Sequence, residues 1–261
     1  MGADGVRSRA RELVFPAAEI RHLGLYGAIF SVPGTYGLDH EGLMHSVPGR
    51  CATIMRTGGE TRAALDFASP PLAYDHRDRR GQRELIATAF DGLGWEIPSL
   101  LREMRTAEDF YFAPAAQVVL PRYASGRVVL LGDAAHAPGP GGMGSGLALI
   151  GAYVLAGELA AAPDHHTAFA RYERELRPHV EPCRKQAQGA AGYLVPRKRA
   201  QIWRRNQIMR LLSHLPGKNL INRLTVPSPI ALKDYAAPPD RREQAPAPRR
   251  PATAAHPADP R

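Results

Sequence analysis

The sequence is poor in cysteine and has no unbroken apolar run long enough to cross a bilayer. Its two cysteines, Cys51 and Cys183, lie far apart and outside any metal-ligand spacing, so neither a disulfide framework nor a zinc site is predicted. The first residues include arginines but no apolar stretch followed by a cleavage site, which argues against a secretory signal. We therefore expect a cytoplasmic protein without a membrane span.

The composition is typical of an ordinary globular protein. The 261 residues are 44% hydrophobic and 23% charged, which is enough for a sizeable core. The net charge of +9 comes largely from basic residues at 197–210 and 241–250, with no recognisable nucleic-acid motif between them. We interpret this charge as a solvated surface and expect no nucleic-acid partner.

Short apolar runs separated by glycine and proline predict antiparallel strands, and apolar residues at helical spacing predict helices. The predicted strands are residues 25–32, 52–55, 63–67 and 110–120. The predicted helices are residues 78–91, 98–105, a segment containing Phe169, Tyr172 and Leu176, and residues 198–215 ended by Pro216-Gly217. The last stretch, 236–261, is dominated by Pro, Ala, Arg and Asp and is predicted to be disordered.

Residues 126–162 form the most informative region. An apolar run at 128–131 predicts a strand buried on both faces of a sheet, and Asp133 follows it, where open α/β sheets bind ligands. The loop 137–146 has five glycines and two prolines, so its backbone can approach a ligand closely. Residues 147–161 predict a buried helix whose N-terminus suits a phosphate or an electron-rich ring edge.

This order of strand, Gly-Asp-Ala-Ala-His, proline-glycine loop and long helix resembles the second FAD-binding motif of group A flavoprotein monooxygenases, the family of para-hydroxybenzoate hydroxylase. The resemblance implies that Asp133 binds the ribityl part of FAD and that the loop and helix start approach the flavin ring and pyrophosphate. The candidate loop residues are Gly132, Pro140, Gly142 and Gly144. For His136, bracing the loop and catalysis are both left open.

A second match lies at the start of the chain, where Gly-Ala-Asp-Gly-Val-Arg-Ser-Arg-Ala-Arg resembles the Gly-Ala-Asp-Gly motif of the same family. There the aspartate, serine and arginine hold a turn and helix that face the FAD and NAD(P)H pyrophosphates. Asp4 can cap the helix, while Ser8 and Arg11 offer a hydroxyl and a guanidinium to a phosphate. The alternative is a capped helix with surface arginines.

The resemblance implies an α/β (α+β) fold. We expect a partial FAD/NAD(P)-binding Rossmann-like domain with an inserted antiparallel β-sheet substrate domain and C-terminal helices. Apolar candidates for the substrate pocket are Tyr26, Phe30, Met55 and Phe112, although core packing is the favoured role of each. The expected divisions are 1–20 (start of the FAD-binding domain), 21–120 (substrate domain), 121–162 (FAD-binding domain), 163–235 (C-terminal helices) and 236–261 (tail).

The sequence also departs from the family pattern. No Gly-x-Gly-x-x-Gly unit is present, so we expect an N-terminally truncated chain in which residues 128–131 lack strand neighbours. In the glycine-rich loop, Met143 stands in the usual place of glutamine and Gly146 in that of asparagine or serine.

The resulting hypothesis is an FAD-dependent monooxygenase that hydroxylates an organic, aromatic-type substrate with NAD(P)H and O2. Three forms of it stay open. The chain is part of a full enzyme whose beginning is encoded upstream, a truncated non-catalytic remnant with weak or no FAD binding, or a partner that completes a flavin site with a separately encoded N-terminal half. The residues favour neither NADH nor NADPH.

Overall fold

A five-stranded antiparallel sheet dominates the first half of the chain in the computed structural model, which describes residues 1–214 and 231–235. The spatial order of the strands is β2-β3-β4-β1-β5, with every neighbouring pair antiparallel. The strands are β1 (Glu19–Ser31), β2 (Gly42–Val47), β3 (Arg50–Thr57), β4 (Glu60–Ala68) and β5 (Tyr111–Val119). The four predicted strands correspond to β1, β3, β4 and β5 and are confirmed. Strand β2 was not predicted.

One face of this sheet packs against two helices, α2 (Arg79–Phe90) and α3 (Ile97–Thr106), both close to their predicted bounds. Helix α2 begins where the Asp78 carboxylate accepts a hydrogen bond of 3.0 Å from the Gly81 N–H, and α3 carries Pro98 in its first turn. The core between them consists of aromatic and aliphatic side chains, among them Tyr26, Phe30, Leu65, Ile86, Phe90, Leu100, Met104 and Phe112. The face of the sheet that points away from α2 and α3 is not part of this core.

The remaining elements surround the Gly-Asp motif. They are α1 (Arg9–Val14), β6 (Ala124–Ser125), β7 (Val128–Val129), α4 (Asp133–His136), α5 (Gly144–Ala161), α6 (His165–Leu194) and α7 (Arg199–His214). Helix α7 was predicted almost within these bounds. Pro216-Gly217 and the predicted disordered tail lie outside the described residues.

The expectation that residues 128–131 form a strand without neighbours is wrong. Strand β7 is short and pairs antiparallel with β6, and Leu130 forms a parallel bridge with Gly2. The Gly2 N–H donates to the Val129 carbonyl at 2.8 Å, and the Leu131 N–H donates to the Gly2 carbonyl at 2.9 Å. The first residues of the chain therefore supply the parallel neighbour.

The predicted buried helix at 147–161 corresponds to α5, which is buried on one side only. Leu147, Val154 and Leu155 lie in the core shared with α6, whereas Leu149 is 74% exposed. The two helices approach closely at Gly151, where an added Cβ would lie 3.2 Å from Leu176 Cδ2. By length and composition α5 is the one helix among the described residues that could cross a membrane, and in the structure it packs against α6.

Candidate functional site

A cavity of about 430 Å³ lies between the free face of the sheet and the segment 133–145. Its sheet side is lined mainly by small residues, because the cavity-facing positions of β1, β4 and β5 carry few large side chains. The small residues on this side include Gly27, Ala64, Ala113 and Ala115, and the other side includes Asp133, Pro138, Gly139, Pro140, Gly144 and Ser145. The small side chains leave room for a bulky ligand.

Asp133 is the first residue of α4 and stands at the edge of this cavity. The preceding Gly132 has a φ of 61°, in the region that favours glycine, and this sharp turn directs the helix start toward the cavity. Within residues 1–214 and 231–235, the Asp133 carboxylate has no hydrogen-bond or ion-pair partner. Partial burial raises the pKa of Asp133. An acceptor placed this way suits a ligand hydroxyl.

The proline-glycine loop is fixed by a buried glutamine that sequence reasoning missed. Gln117 Nε2 donates to the carbonyls of Pro138 at 2.8 Å and Arg184 at 2.9 Å, tying the loop to β5 and α6. The Val118 N–H adds a bond of 3.0 Å to the Ala137 carbonyl. The only sequence signal was a single polar residue in an apolar strand. The loop backbone is therefore held in place before any ligand binds.

Glycine allows the same loop to lie against α6. A Cβ added at Gly142 would lie 2.8 Å from the Cys183 carbonyl oxygen and 2.8 Å from Pro138 Cβ, which is too close for any real side chain. Gly142 does not line the cavity, whereas Pro140 and Gly144 do. The structure thus gives Gly142 a packing role and places Pro140 and Gly144 at the site.

The N-terminus of α5 opens onto the cavity. Met143 is its N-cap, with a left-handed φ of 58° and no side-chain cap hydrogen bond. The first two helical residues, Gly144 and Ser145, line the cavity. A Cβ added at Gly144 would lie 3.5 Å from Asp133 Oδ1, so the carboxylate and the helix start are adjacent. This end of the helix presents uncapped N–H groups and a partial positive charge.

The Gly-Ala-Asp-Gly segment builds a capped helix, as the residue types predict. The Asp4 carboxylate accepts hydrogen bonds from Ser8 Oγ at 2.5 Å and from the Arg9 N–H at 2.7 Å. Ser8 Oγ in turn accepts from the Arg11 N–H at 3.0 Å, which makes Ser8 the N-cap of α1. These bonds hold the pKa of the Asp4 carboxyl below its usual value. Asp4 and Ser8 are both engaged within the motif.

Arg11 joins the two motifs. Its guanidinium is buried and donates to the carbonyl of Ala134 at 3.1 Å and to the carbonyl of Val6. Burial lowers the pKa of Arg11, although the charge of Asp4 partly opposes this. Because the Arg11 side chain is turned inward, it clamps α1 onto α4 in this structure. A phosphate contact by Ser8 or Arg11 stays a prediction.

His136 lies in the core beneath α4 and does not line the cavity. Its ring stands 5.5 Å from that of Tyr123, and its Nε2 has no hydrogen-bond partner in the part of the chain that the structure describes. Burial lowers the pKa of His136 to about 4, with a smaller contribution from the charge of Arg184. A neutral ring in this position braces the Gly-Asp motif, which favours the first of its two candidate roles.

The apolar pocket candidates lie elsewhere. Tyr26, Phe30 and Phe112 belong to the core beneath α2 and α3, and Met55 is 42% exposed. Core packing, the favoured role, is what the structure shows for the three aromatic residues. The cavity instead contains a second carboxyl group, Asp66 of β4, which the sequence reasoning missed. Strand alternation places it opposite the apolar residues, so it resembled an ordinary solvent-facing acid.

The residues that form the site lie within a sequence match to a known protein family. A sequence profile described as "FAD binding domain" matches residues 1–187, which is most of the chain. The chain belongs to the FAD binding domain family. The match includes both motifs, the sheet and most of α6. FAD is therefore the cofactor that the site is expected to accept, and the predicted α/β fold class is confirmed.

Individual relatives share this domain. A flavin-dependent monooxygenase from an unidentified prokaryote is 39% identical over 186 residues, or 69% of this chain and 48% of that protein. One from Legionella longbeachae serogroup 1 (strain NSW150) is 36% identical over 191 residues, or 71% and 49%. The crystal structure of tetracycline destructase Tet(51) superposes with a TM-score of 0.73 at 30% identity, covering 89% of this chain and 62% of that one. The chain spans about half the length of the curated relatives it matches.

The residues present fit the flavin end of FAD. Ribityl hydroxyls are donors, and Asp133 offers an acceptor without a partner among the described residues. The uncapped start of α5 offers N–H groups to an electron-rich ring edge. Gly144 keeps the helix start free of a side chain beside Asp133. All three features line one side of a single cavity.

Proposed function

We propose that this FAD binding domain is the flavin-facing and substrate-binding part of a group A, para-hydroxybenzoate hydroxylase-like monooxygenase. In this proposal NAD(P)H and O2 are co-substrates, and an organic ring compound is hydroxylated. The observation that carries the proposal is the cavity shared by Asp133, the start of α5 and the small-residue face of the sheet. It combines a flavin-compatible edge with space for a second molecule.

Each part of the cavity has a role in this proposal. Bound FAD supplies the redox chemistry, taking electrons from NAD(P)H and allowing one oxygen atom of O2 to reach the substrate. Asp133 accepts a hydrogen bond from a ribityl hydroxyl, and the N–H groups at the start of α5 orient the ring edge. Gln117 keeps the loop at a fixed distance from the sheet. The sheet residues bind the substrate and keep water away from the reacting atoms.

A second candidate is a chain that supplies only part of a flavin site. The observation that favours it is the apolar outer side of α5, where Leu149 is 74%, Tyr153 43% and Leu159 47% exposed. Another protein segment packed there would bury this surface and bring the rest of the FAD site, including a Gly-x-Gly-x-x-Gly loop. That segment is either continuous with this chain or a separately encoded N-terminal half. A remnant with weak or no FAD binding is the third form.

Flavin binding followed by turnover separates these candidates. The purified 261-residue chain is incubated with FAD, and NADH or NADPH oxidation, O2 uptake and oxygen insertion into a panel of phenols and fused-ring compounds are measured. FAD binding with oxygenated product supports the monooxygenase. FAD binding without turnover, or turnover only after adding a Gly-x-Gly-x-x-Gly domain from a relative, supports the partial site. Failure to bind FAD under both conditions refutes flavin function.

A further inference from the structure

The cavity contains one acid on its sheet side, Asp66, which is the seventh of the nine residues of β4. In the register of the sheet it stands directly between Gly27 of β1 and Cys51 of β3. A Cβ added at Gly27 would collide with Asp66 Oδ1. The absence of a side chain at Gly27 is thus what lets the Asp66 carboxyl lie over the sheet. The floor around it contains Ala64 and Ala113, neither of which can form a side-chain hydrogen bond.

Asp66 has no hydrogen-bond or ion-pair partner anywhere in residues 1–214 and 231–235. Arg205, whose charge acts on the neighbouring Cys51, is engaged elsewhere, because its guanidinium donates to the Tyr193 carbonyl at 3.0 Å and to Ser46 Oγ at 2.9 Å. The adjacent Cys51 thiol is buried, and burial raises its pKa, so it brings no charge to the pair. Burial raises the pKa of Asp66 to about 7.

An acid without a partner in such a place destabilises the folded chain, because desolvation of the carboxylate is not repaid by a hydrogen bond. A purely structural aspartate would be expected to cap a turn, as Asp4 and Asp78 do here. Asp66 instead faces a cavity that also contains Asp133 on its opposite side. Both carboxyl groups therefore border the space that a ligand would occupy.

We propose that Asp66 is a substrate-binding residue that accepts a hydrogen bond from a hydroxyl or amino group on a flat ring substrate. The inference rests on the proposed function, which places the substrate in this cavity. It narrows the substrate class to ring compounds with a donor on the side turned toward β4. A ring that carries only ether, carbonyl or carboxylate groups on that side leaves the Asp66 carboxylate unpaired and binds more weakly.

The test compares two ligands that differ by one donor. β-Naphthol and its methyl ether are titrated into the chain at about pH 8, where Asp66 with a pKa near 7 is mostly ionised. Binding is followed by ligand-observed NMR or naphthol fluorescence, and a parallel titration with β-naphthylmethylamine distinguishes a cationic donor from a neutral one. The variants are Asp66→Leu and Asp66→Asn, and Asp39→Asn, an exposed carboxylate that does not line the cavity, serves as the control.

The wild type and Asp39→Asn are expected to prefer a donor-bearing ligand by about tenfold over the ether. Asp66→Leu abolishes the preference, and the nearly isosteric Asp66→Asn retains about threefold, because its amide oxygen still accepts. The proposal is overturned if the wild type shows no preference, or if both Asp66 variants keep the full one. FAD titrated separately distinguishes the two ideas. If the wild type binds FAD but shows no donor preference, only the proposal for Asp66 is refuted. If the wild type does not bind FAD, the proposed function is refuted.

Discussion

Replacing His136 by phenylalanine should make the chain less sensitive to acid. The His136 ring is 1% exposed, packs beside Tyr123 and has no partner for Nε2 among the described residues. Its pKa is lowered from 6.5 to about 4, so the folded chain keeps it neutral over a range in which the unfolded chain protonates it. Stability from the neutral ring is therefore present above about pH 6.5 and is lost as pH falls toward about 4.

The size of the effect follows from the two pKa values. At about pH 5 the unfolded imidazole is largely protonated and the folded one is largely neutral. Proton linkage then lowers the free energy of unfolding by about 2 kcal/mol relative to about pH 8. The full difference between pKa 6.5 and about 4 corresponds to about 3 kcal/mol in stronger acid. His136→Phe keeps a ring in the core but cannot titrate.

Urea unfolding at about pH 8 and about pH 5 measures this directly. The loss of stability between the two pH values should be about 2 kcal/mol smaller in His136→Phe than in the wild type. The exposed Trp203→Phe variant, which removes no titratable group, controls for the effect of an aromatic substitution and should lose as much stability as the wild type. Equal losses in the wild type and His136→Phe would show that His136 is not a buried neutral histidine.

Three further predictions concern the cavity. Gly142→Ala should destabilise the chain by about 1–3 kcal/mol and weaken FAD binding, because the added Cβ collides with α6 and Pro138. Gly94→Ala, where nothing lies within 4 Å of the added Cβ, should change neither stability nor FAD binding. Thermal unfolding measures the stability, and FAD titration measures the binding. Gln117→Leu should cost about 2 kcal/mol in urea unfolding, because it leaves the Pro138 and Arg184 carbonyls without their donor. Asp66→Asn should be more stable than the wild type above about pH 7 and similar to it below about pH 4, because a raised carboxyl pKa stabilises the fold only in the protonated form.

The elements with strong periodic or punctuation signals could be predicted from the sequence. Helix α2 has Asp78 at its start and apolar residues at helical spacing, and β1, β3 and β4 combine apolar runs with flanking glycines. Strand β2 was missed because all six of its residues are exposed or half-buried, as expected for an edge strand. No apolar alternation marks it.

The motifs located one side of the cavity, but the opposite side required the structure. Asp133, Pro140 and Gly144 line one cavity, and the glycine-rich loop lies over the sheet. Gln117 donates to a carbonyl of α6, and the Asp66 carboxyl has room only because Gly27 lies across the sheet. Both α6 and Gly27 are distant in the sequence, so no local pattern identifies either residue. Arg11 was a candidate for a phosphate contact, which stays a prediction, and in the structure its guanidinium donates to the carbonyl of Ala134. Contacts between the two motifs decide its orientation.

The most direct test is a titration of FAD with the wild type, Asp133→Ala and the exposed control Asp39→Ala, followed by flavin fluorescence quenching and the visible flavin spectrum. The wild type and Asp39→Ala should bind FAD saturably and equally. Asp133→Ala should bind FAD about tenfold more weakly, because it loses the acceptor for a ribityl hydroxyl. It should unfold at the same urea concentration as the wild type. FAD binding unchanged in Asp133→Ala, or no binding by the wild type alone or with a Gly-x-Gly-x-x-Gly domain, would contradict a flavin site at the Gly-Asp motif.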